Sequence, residues 1–151
     1  MRYDGPIADL LPHRGTMLLV ERLLEEEAEA VRVQATVRRE QPFVREDGLP
    51  AWAGIELMAQ AIGTWAGLQR LRRGEKVQLG FLVGTRRYDC AVPVFAIGER
   101  LEVTARLELL ADNGLAVFVC AIWRGGELAA QAQLNVFQPH DVERYLREGT
   151  P

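Results

Sequence analysis

The residues best placed for chemistry are three polar side chains set into an otherwise apolar stretch. From Pro50 to Arg73 the chain reads PAWAGIELMAQAIGTWAGLQRLRR. Glu56, Gln60 and Thr64 recur every four residues, so a helix aligns them in one polar stripe. Glu56 falls in the first turns of that helix, where the dipole favours a carboxylate and free amides can bind a polarised carbonyl oxygen. A carboxylate beside an anion-accepting helix end, in apolar surroundings, is the strongest candidate for chemistry in the chain. The plainer reading is a structural carboxylate paired with one of the many arginines.

The element that must position these residues is the helix itself, expected over about residues 51–72. Between Ala51 and Leu71 it carries almost no charge and is apolar on nearly every face, so it must be buried all round. It would run ~30 Å, the width of a small domain. The polar stripe and the lack of apolar residues beyond Leu71 argue against a membrane span. Ala59, Gly63 and Gly67 also recur every four residues and make a smooth face. Each interior glycine costs about 1 kcal/mol relative to alanine, which predicts close approach by a sheet or another backbone.

Composition narrows the class. The chain has 151 residues, 48% of them hydrophobic and 26% charged, with a net charge of −3. That suits one soluble domain spanning residues 1–151 and gives no basis for nucleic acid as a partner. The N-terminal MRYDGPIADLLPHRG lacks the apolar run of a signal peptide, and a cytoplasmic location is expected. Two cysteines, Cys90 and Cys120, and two histidines, widely separated, make neither a disulfide framework nor a metal site; the cysteines read as reduced core residues.

The segments around the helix read mostly as strands. Ile7 to Leu11 suits a short helical turn stopped by Pro12. Met17 to Val20 reads as a short apolar strand, and Glu25 to Glu27 as a solvated acidic turn. From Val31 to Arg38 apolar and polar residues alternate strictly, as in a half-buried strand. Gln41 to Leu49 is a loop ending at Pro50, a residue suited to the first helical position. Leu79 to Cys90 is a long strand, with Gly80 and Gly84 marking close approach or a bulge. Leu101 to Leu109 alternates again. Asp112-Asn113-Gly114 signals a hairpin, and Leu115 to Trp123 is apolar on both faces, like a central strand. Leu128 to Phe137 is the last strand, ended by Pro139, and a polar tail follows that suits a helix over Asp141 to Arg147. The sum is an α+β hotdog fold, an antiparallel sheet of five or six strands wrapped around one long central helix.

Particular residues carry a resemblance to a known family. Leu11-Pro12-His13-Arg14 running into Met17-Leu18-Leu19-Val20-Glu21-Arg22, with Glu56-Leu57-Met58-Ala59-Gln60-Ala61, resembles the signatures of FabZ-type 3-hydroxyacyl-[acyl-carrier-protein] dehydratases. PHRGTMLLVERLL, LPAWAGIELMAQAIGTWAGL, LGFLVGTRRYDC and LNVFQP resemble the ApeP-like dehydratases of aryl-polyene gene clusters, in order and over nearly the whole chain.

The resemblance implies removal of water from a 3-hydroxyacyl thioester, giving a trans-2-enoyl thioester. It implies no metal and no cofactor of the protein's own, the substrate being carried on the phosphopantetheine arm of acyl carrier protein. Glu56 matches the family's catalytic acid, with Gln60 orienting it from the next turn. Helix-start amides, Gly54 foremost with Ala53 beside it, would bind the thioester oxygen. One departure stands out: the loop that carries the FabZ-type histidine reads Gln41-Pro42-Phe43-Val44-Arg45-Glu46-Asp47-Gly48 and contains none. His13 can take that role if its segment folds over the helix start, or it can simply hold that segment in place. His140 reads as a surface residue of the tail. Assembly as a homodimer, or as a heterodimer with a second hotdog subunit, is expected. Arg70, Arg72, Arg73, Lys76, Arg86 and Arg87 are candidate docking charges for the acidic carrier. Two other functions compete, a non-catalytic partner subunit of a heteromeric dehydratase and an acyl thioesterase.

Overall fold

One helix, α1 (Gly54–Arg72), runs through the fold and is entered by a 3-10 turn over Ala51–Ala53. The computed structural model describes residues 3–78, 80–138 and 147, with residues 81–83 as backbone only. The expectations placed on Leu79, Pro139, His140 and the tail beginning at Asp141 lie outside the described residues. Pro50 is not the first helical residue: its backbone is extended, and it closes a two-residue strand just ahead of the turn. At the other end Gly74 adopts φ +70°, and the amides of Arg73, Gly74 and Glu75 return to the carbonyls of Arg70 and Leu71. A glycine tolerates this left-handed closure, which satisfies the last helical carbonyls.

In chain order the strands are β1 (Arg22–Glu27), β2 (Ala30–Thr36), β3 (Leu49–Pro50), β4 (Phe81–Cys90), β5 (Val94–Phe95), β6 (Arg100–Leu110), β7 (Leu115–Arg124) and β8 (Glu127–Phe137). Six form one antiparallel sheet in the order β1-β2-β6-β7-β8-β4, and β3 pairs with β5 as a separate two-stranded ribbon that the sequence reading did not separate from the loops. The sheet curls around α1, which packs on β6, β2 and β7 and on a 3-10 turn at Ile7–Leu10. This is the expected hotdog arrangement. Val31, Val33 and Ala35 of β2, Leu101, Val103 and Ala105 of β6, and Phe118 and Ile122 of β7 are buried with Leu57, Met58, Ala61, Ile62 and Leu68 of the helix. Each large apolar side chain buried this way stabilises the fold by about 1.5–3 kcal/mol.

The helix's smooth face meets the N-terminal turn rather than a strand. A Cβ on Gly67 would lie 2.0 Å from the Leu10 carbonyl oxygen, and one on Gly63 would lie 2.7 Å from Leu11 Cδ2. Close packing of a backbone on Gly67 is the return for a poor helix former. The chain between Leu10 and Val20 is thereby laid across the helix.

Three local expectations change. Met17 to Val20 is not a strand: a 3-10 turn occupies Gly15–Met17, and the amides of Leu19 and Val20 bond to the Gln60 side chain instead of a neighbouring strand. Glu25 to Glu27 is not a turn but the end of β1. Arg32, Arg72 and Arg106 meet the three carboxylates in turn, which lets an acidic run join the ladder. β7 is buried on one face only, with Val119 46% exposed on the other. Among the described residues, no second layer covers its outward apolar side chains. Gly84 sits at a shift of register between β4 and β8, as the bulge reading expected.

Candidate active site

His13 and Glu56 meet. Pro12 follows the first 3-10 turn, and the chain then bends across the start of α1. Arg14 holds that bend: its Nη1 donates to the carbonyls of Ala8, Leu11 and His13 at 3.0, 2.6 and 2.7 Å. His13 Nε2 lies 3.7 Å from Glu56 Oε1, with the two side chains 27% and 33% exposed. His13 Nδ1 is buried and has no hydrogen-bond partner. The ring keeps its other nitrogen toward the carboxylate.

Gln60, fully buried, joins the two segments. Its Oε1 accepts from the amides of Leu19 at 2.8 Å and Val20 at 3.3 Å, and its Nε2 donates to the Met17 carbonyl at 2.8 Å. The same Nε2 lies 3.2 Å from Glu56 Oε1, one helical turn away. One amide therefore anchors the segment that follows His13 and orients the carboxylate facing it. Thr64, next on the stripe, is buried and donates to the Gln60 carbonyl at 2.9 Å.

His13 and Glu56 stand on a cleft of about 170 Å³ whose other walls include Ala59, Gly63 and Ala66 of α1 and Val136 of β8. A polar pair at one place on an apolar trough can present acid–base groups to a small polar head whose hydrocarbon tail lies along the helix.

Gly54 and Ala53 are both buried at the helix start, and neither is among the residues lining this cleft. The Gly54 amide donates to the Ala51 and Trp52 carbonyls within the entry turn. The reason for glycine here is steric: a Cβ would lie 2.4 Å from the Tyr88 hydroxyl, which donates to the Ala51 carbonyl. Burial, reinforced by neighbouring Cys90, pushes the Tyr88 hydroxyl well above its ordinary pKa, so it remains a donor.

The candidate docking arginines do not form one surface of free charge. Arg70 is only 8% exposed and pairs with Glu75 at 2.9 Å; Arg73 pairs with the same Glu75, Arg72 with Glu26, and exposed Arg87 with Asp89. The sequence reading gave no role to Arg14 or Tyr88. Arg14 was visible inside the LPHR motif, but nothing in residue type says that one guanidinium would gather three carbonyls.

No helix of the described residues is long and apolar enough to cross a membrane. Residues 5–147 match the ApeP-like family, described as ApeP dehydratase. FabZ, the 3-hydroxyacyl-[acyl-carrier-protein] dehydratase of Proteus mirabilis (strain HI4320), is 31% identical over 145 residues, covering 90% of this chain and 93% of the relative. Among solved structures, the dehydratase heterocomplex ApeI:P of Xenorhabdus doucetiae contains a chain 37% identical, with TM-score 0.87, covering 99% of this chain and 100% of that one. The E. coli PaaI protein of the phenylacetic acid degradation operon, at 15% identity and TM-score 0.59 over 78% of this chain and 82% of its own, shares the fold alone. The match to the family over nearly the full length, together with the FabZ likeness, makes the chain a member of the ApeP-like dehydratase family.

Proposed function

We propose that this chain dehydrates 3-hydroxyacyl thioesters carried on acyl carrier protein, giving trans-2-enoyl thioesters in a fatty-acid-like or aryl-polyene pathway. The observation that carries the reading is the 3.7 Å approach of His13 Nε2 to Glu56 Oε1 beside an apolar cleft. Dehydration needs a base at the carbon next to the thioester carbonyl and an acid at the hydroxyl on the following carbon. The two carbons are bonded to each other, so two groups a few ångströms apart can serve both the α-proton and the hydroxyl. His13 takes the α-proton, and the electron pair moves into an enolate. Glu56 protonates the hydroxyl, the C–O bond breaks, and water leaves as the double bond forms. Gln60 holds Glu56, and the positive end of α1 favours charge gathering on the thioester oxygen. Since the Gly54 amide is engaged in the entry turn, that contribution is assigned to the helix end as a whole.

A second reading is favoured by a specific feature: the loop from Gln41 to Gly48 has no histidine, and the ApeI:P protein is a heterocomplex. In that reading this chain supports a companion hotdog subunit that carries out the chemistry. The assay that decides supplies 3-hydroxyacyl carrier protein and follows enoyl product and free thiol, with and without a companion. Enoyl formation that depends on His13 and Glu56 supports the first reading, formation indifferent to both leaves the partner role, and thiol release alone makes the chain a thioesterase.

A further inference from the structure

The six-stranded sheet ends at β1 on one side and at β4 on the other. An edge strand presents unpaired N–H and C=O groups, and charge, bulges or cover decide what pairs with them. The two edges here differ. On β1 the carboxylates of Glu25, Glu26 and Glu27 each meet an arginine of the same chain. On β4 the charge is basic and largely unmet. Arg86 and Arg87 are exposed, and Arg86 has no ion-pair partner among the described residues. Arg87 reaches Asp89 at 3.5 Å with the two side chains 87% and 60% exposed, an arrangement worth little in water.

Arg87 also holds an unusual backbone. The pairing of β4 with β8 shifts between Arg86 and Tyr88, which leaves Arg87 as the bulged residue, at φ +59°. Left-handed backbone costs a residue with a Cβ about 1–2 kcal/mol and costs glycine almost nothing. Here the strain is kept and a guanidinium stands off the edge. Strain retained where a glycine would relieve it points to a function.

Pairing of β4 with a second copy about a two-fold axis is antiparallel and lays the middle of the strand on itself. With all of Phe81–Cys90 overlapped, Arg86 falls opposite Thr85 of the copy and Arg87 opposite Gly84, so the guanidiniums of both copies gather around the axis. Each Asp89 then lies out toward an end of the ladder. Sliding the copies to set Arg86 opposite Asp89 shortens the overlap to residues 85–90 and leaves Arg87 beside its own counterpart. Like charges so placed destabilise a strand pair. We propose that the β4 edge rejects a second copy of this chain and takes an edge strand bearing carboxylates from a different subunit. Such a device selects a partner by penalising the wrong one. It goes beyond the dehydration reading, holds whichever subunit does the chemistry, and names the edge by which a companion is chosen.

The test uses this chain as its own probe. A copy carrying Arg86→Glu and Arg87→Glu presents carboxylates on an otherwise identical edge. Native mass spectrometry and sedimentation follow the wild type, this variant and their equimolar mixture, the two chains being told apart by isotope labelling. The mixed dimer should exceed its random proportion and bind ~10-fold or more tightly than either self-dimer, and added salt should remove the excess. Arg86→Ala with Arg87→Ala removes the repulsion alone and should self-associate more readily than the wild type. That comparison stands even if the charge-reversed chain does not fold. No carrier protein is present, so a docking role of the same arginines does not enter the readout. A mixture without dimers, dimers in random proportion, or a wild type that self-associates as readily as the alanine variant overturns the inference. Wild-type assemblies that grow beyond dimers with concentration would show β4 taking the β1 edge of another copy, and would overturn it as well.

Discussion

His13 Nε2 lies 3.7 Å from Glu56 Oε1, although one side chain belongs to an N-terminal bend and the other to the first turn of the helix. If this pair performs the chemistry, Glu56→Gln should abolish enoyl-thioester formation while the protein still folds, because the amide keeps the shape and cannot exchange the proton. His13→Ala should lower the rate ~100- to 10,000-fold. A lower melting temperature with only a modest loss of rate would instead mark His13 as an anchor.

Gln60 should prove as important to stability as to rate. Gln60→Leu leaves the Leu19 and Val20 amides and the Met17 carbonyl without the partner they have now. A buried group left unpaired costs about 1–3 kcal/mol, so denaturant unfolding should show a loss of at least that size. The N-terminal segment should also gain amide exchange. Unchanged stability would mean that water replaces the side chain and that the segment is held elsewhere.

The two helix glycines should behave differently. At Gly67 an added methyl meets the Leu10 backbone, whereas at Gly63 it meets the movable end of the Leu11 side chain. Gly67→Ala should destabilise by about 1–3 kcal/mol despite alanine's better helix propensity, and Gly63→Ala should be close to neutral. Melting curves of the two variants decide this, and reversal of their order would contradict the close fit of the Leu10 backbone on Gly67.

Acid stability should depend on Glu21. Burial raises the pKa of its carboxyl, but hydrogen bonds from Thr36, Gln34 and Arg38 and the charge of Arg38 outweigh burial and hold it below the ordinary value. A depressed folded-state pKa contributes stability above the unfolded value, and that contribution is lost as pH falls through the folded value. Glu21→Gln should therefore melt earlier than wild type at neutral pH, with the gap closing across the acid range below the ordinary carboxylate pKa. A gap that stayed constant with pH would assign the effect to packing.

Carrier docking, if it uses the exposed cations after α1, should respond at Arg86 and Arg87 rather than at Arg70. Charge reversal at the first two should slow carrier association, with the effect fading as salt is added. Arg70→Glu should act on folding, since that guanidinium is buried against Glu75 and Gln138. Carrier binding unaffected by reversal at Arg86 and Arg87 would move the docking surface elsewhere.

Local pattern was enough to read much of this protein. Strict alternation from Val31 to Arg38 and from Leu101 to Leu109 marked two strands of the sheet, because a strand with one buried face writes that face at every second residue. The charge-poor stretch after Pro50 marked the buried helix, and four-residue spacing placed Glu56 and Gln60 on one side of it. What periodicity cannot carry is the partner of a side chain far away in sequence. Gln60 takes the Leu19 and Val20 amides out of any sheet, so an apolar run that reads as a strand becomes an anchored strap across the helix. Arg72 and Arg106 make strand residues of Glu26 and Glu27 for the same reason, and Glu75 with Gln138 draws Arg70 inward. The meeting of His13 with Glu56 depends on that strap and on the Gly67 face beneath it. It is settled by long-range hydrogen bonding and by the fit of one backbone against another, neither of which leaves a repeating mark on the chain.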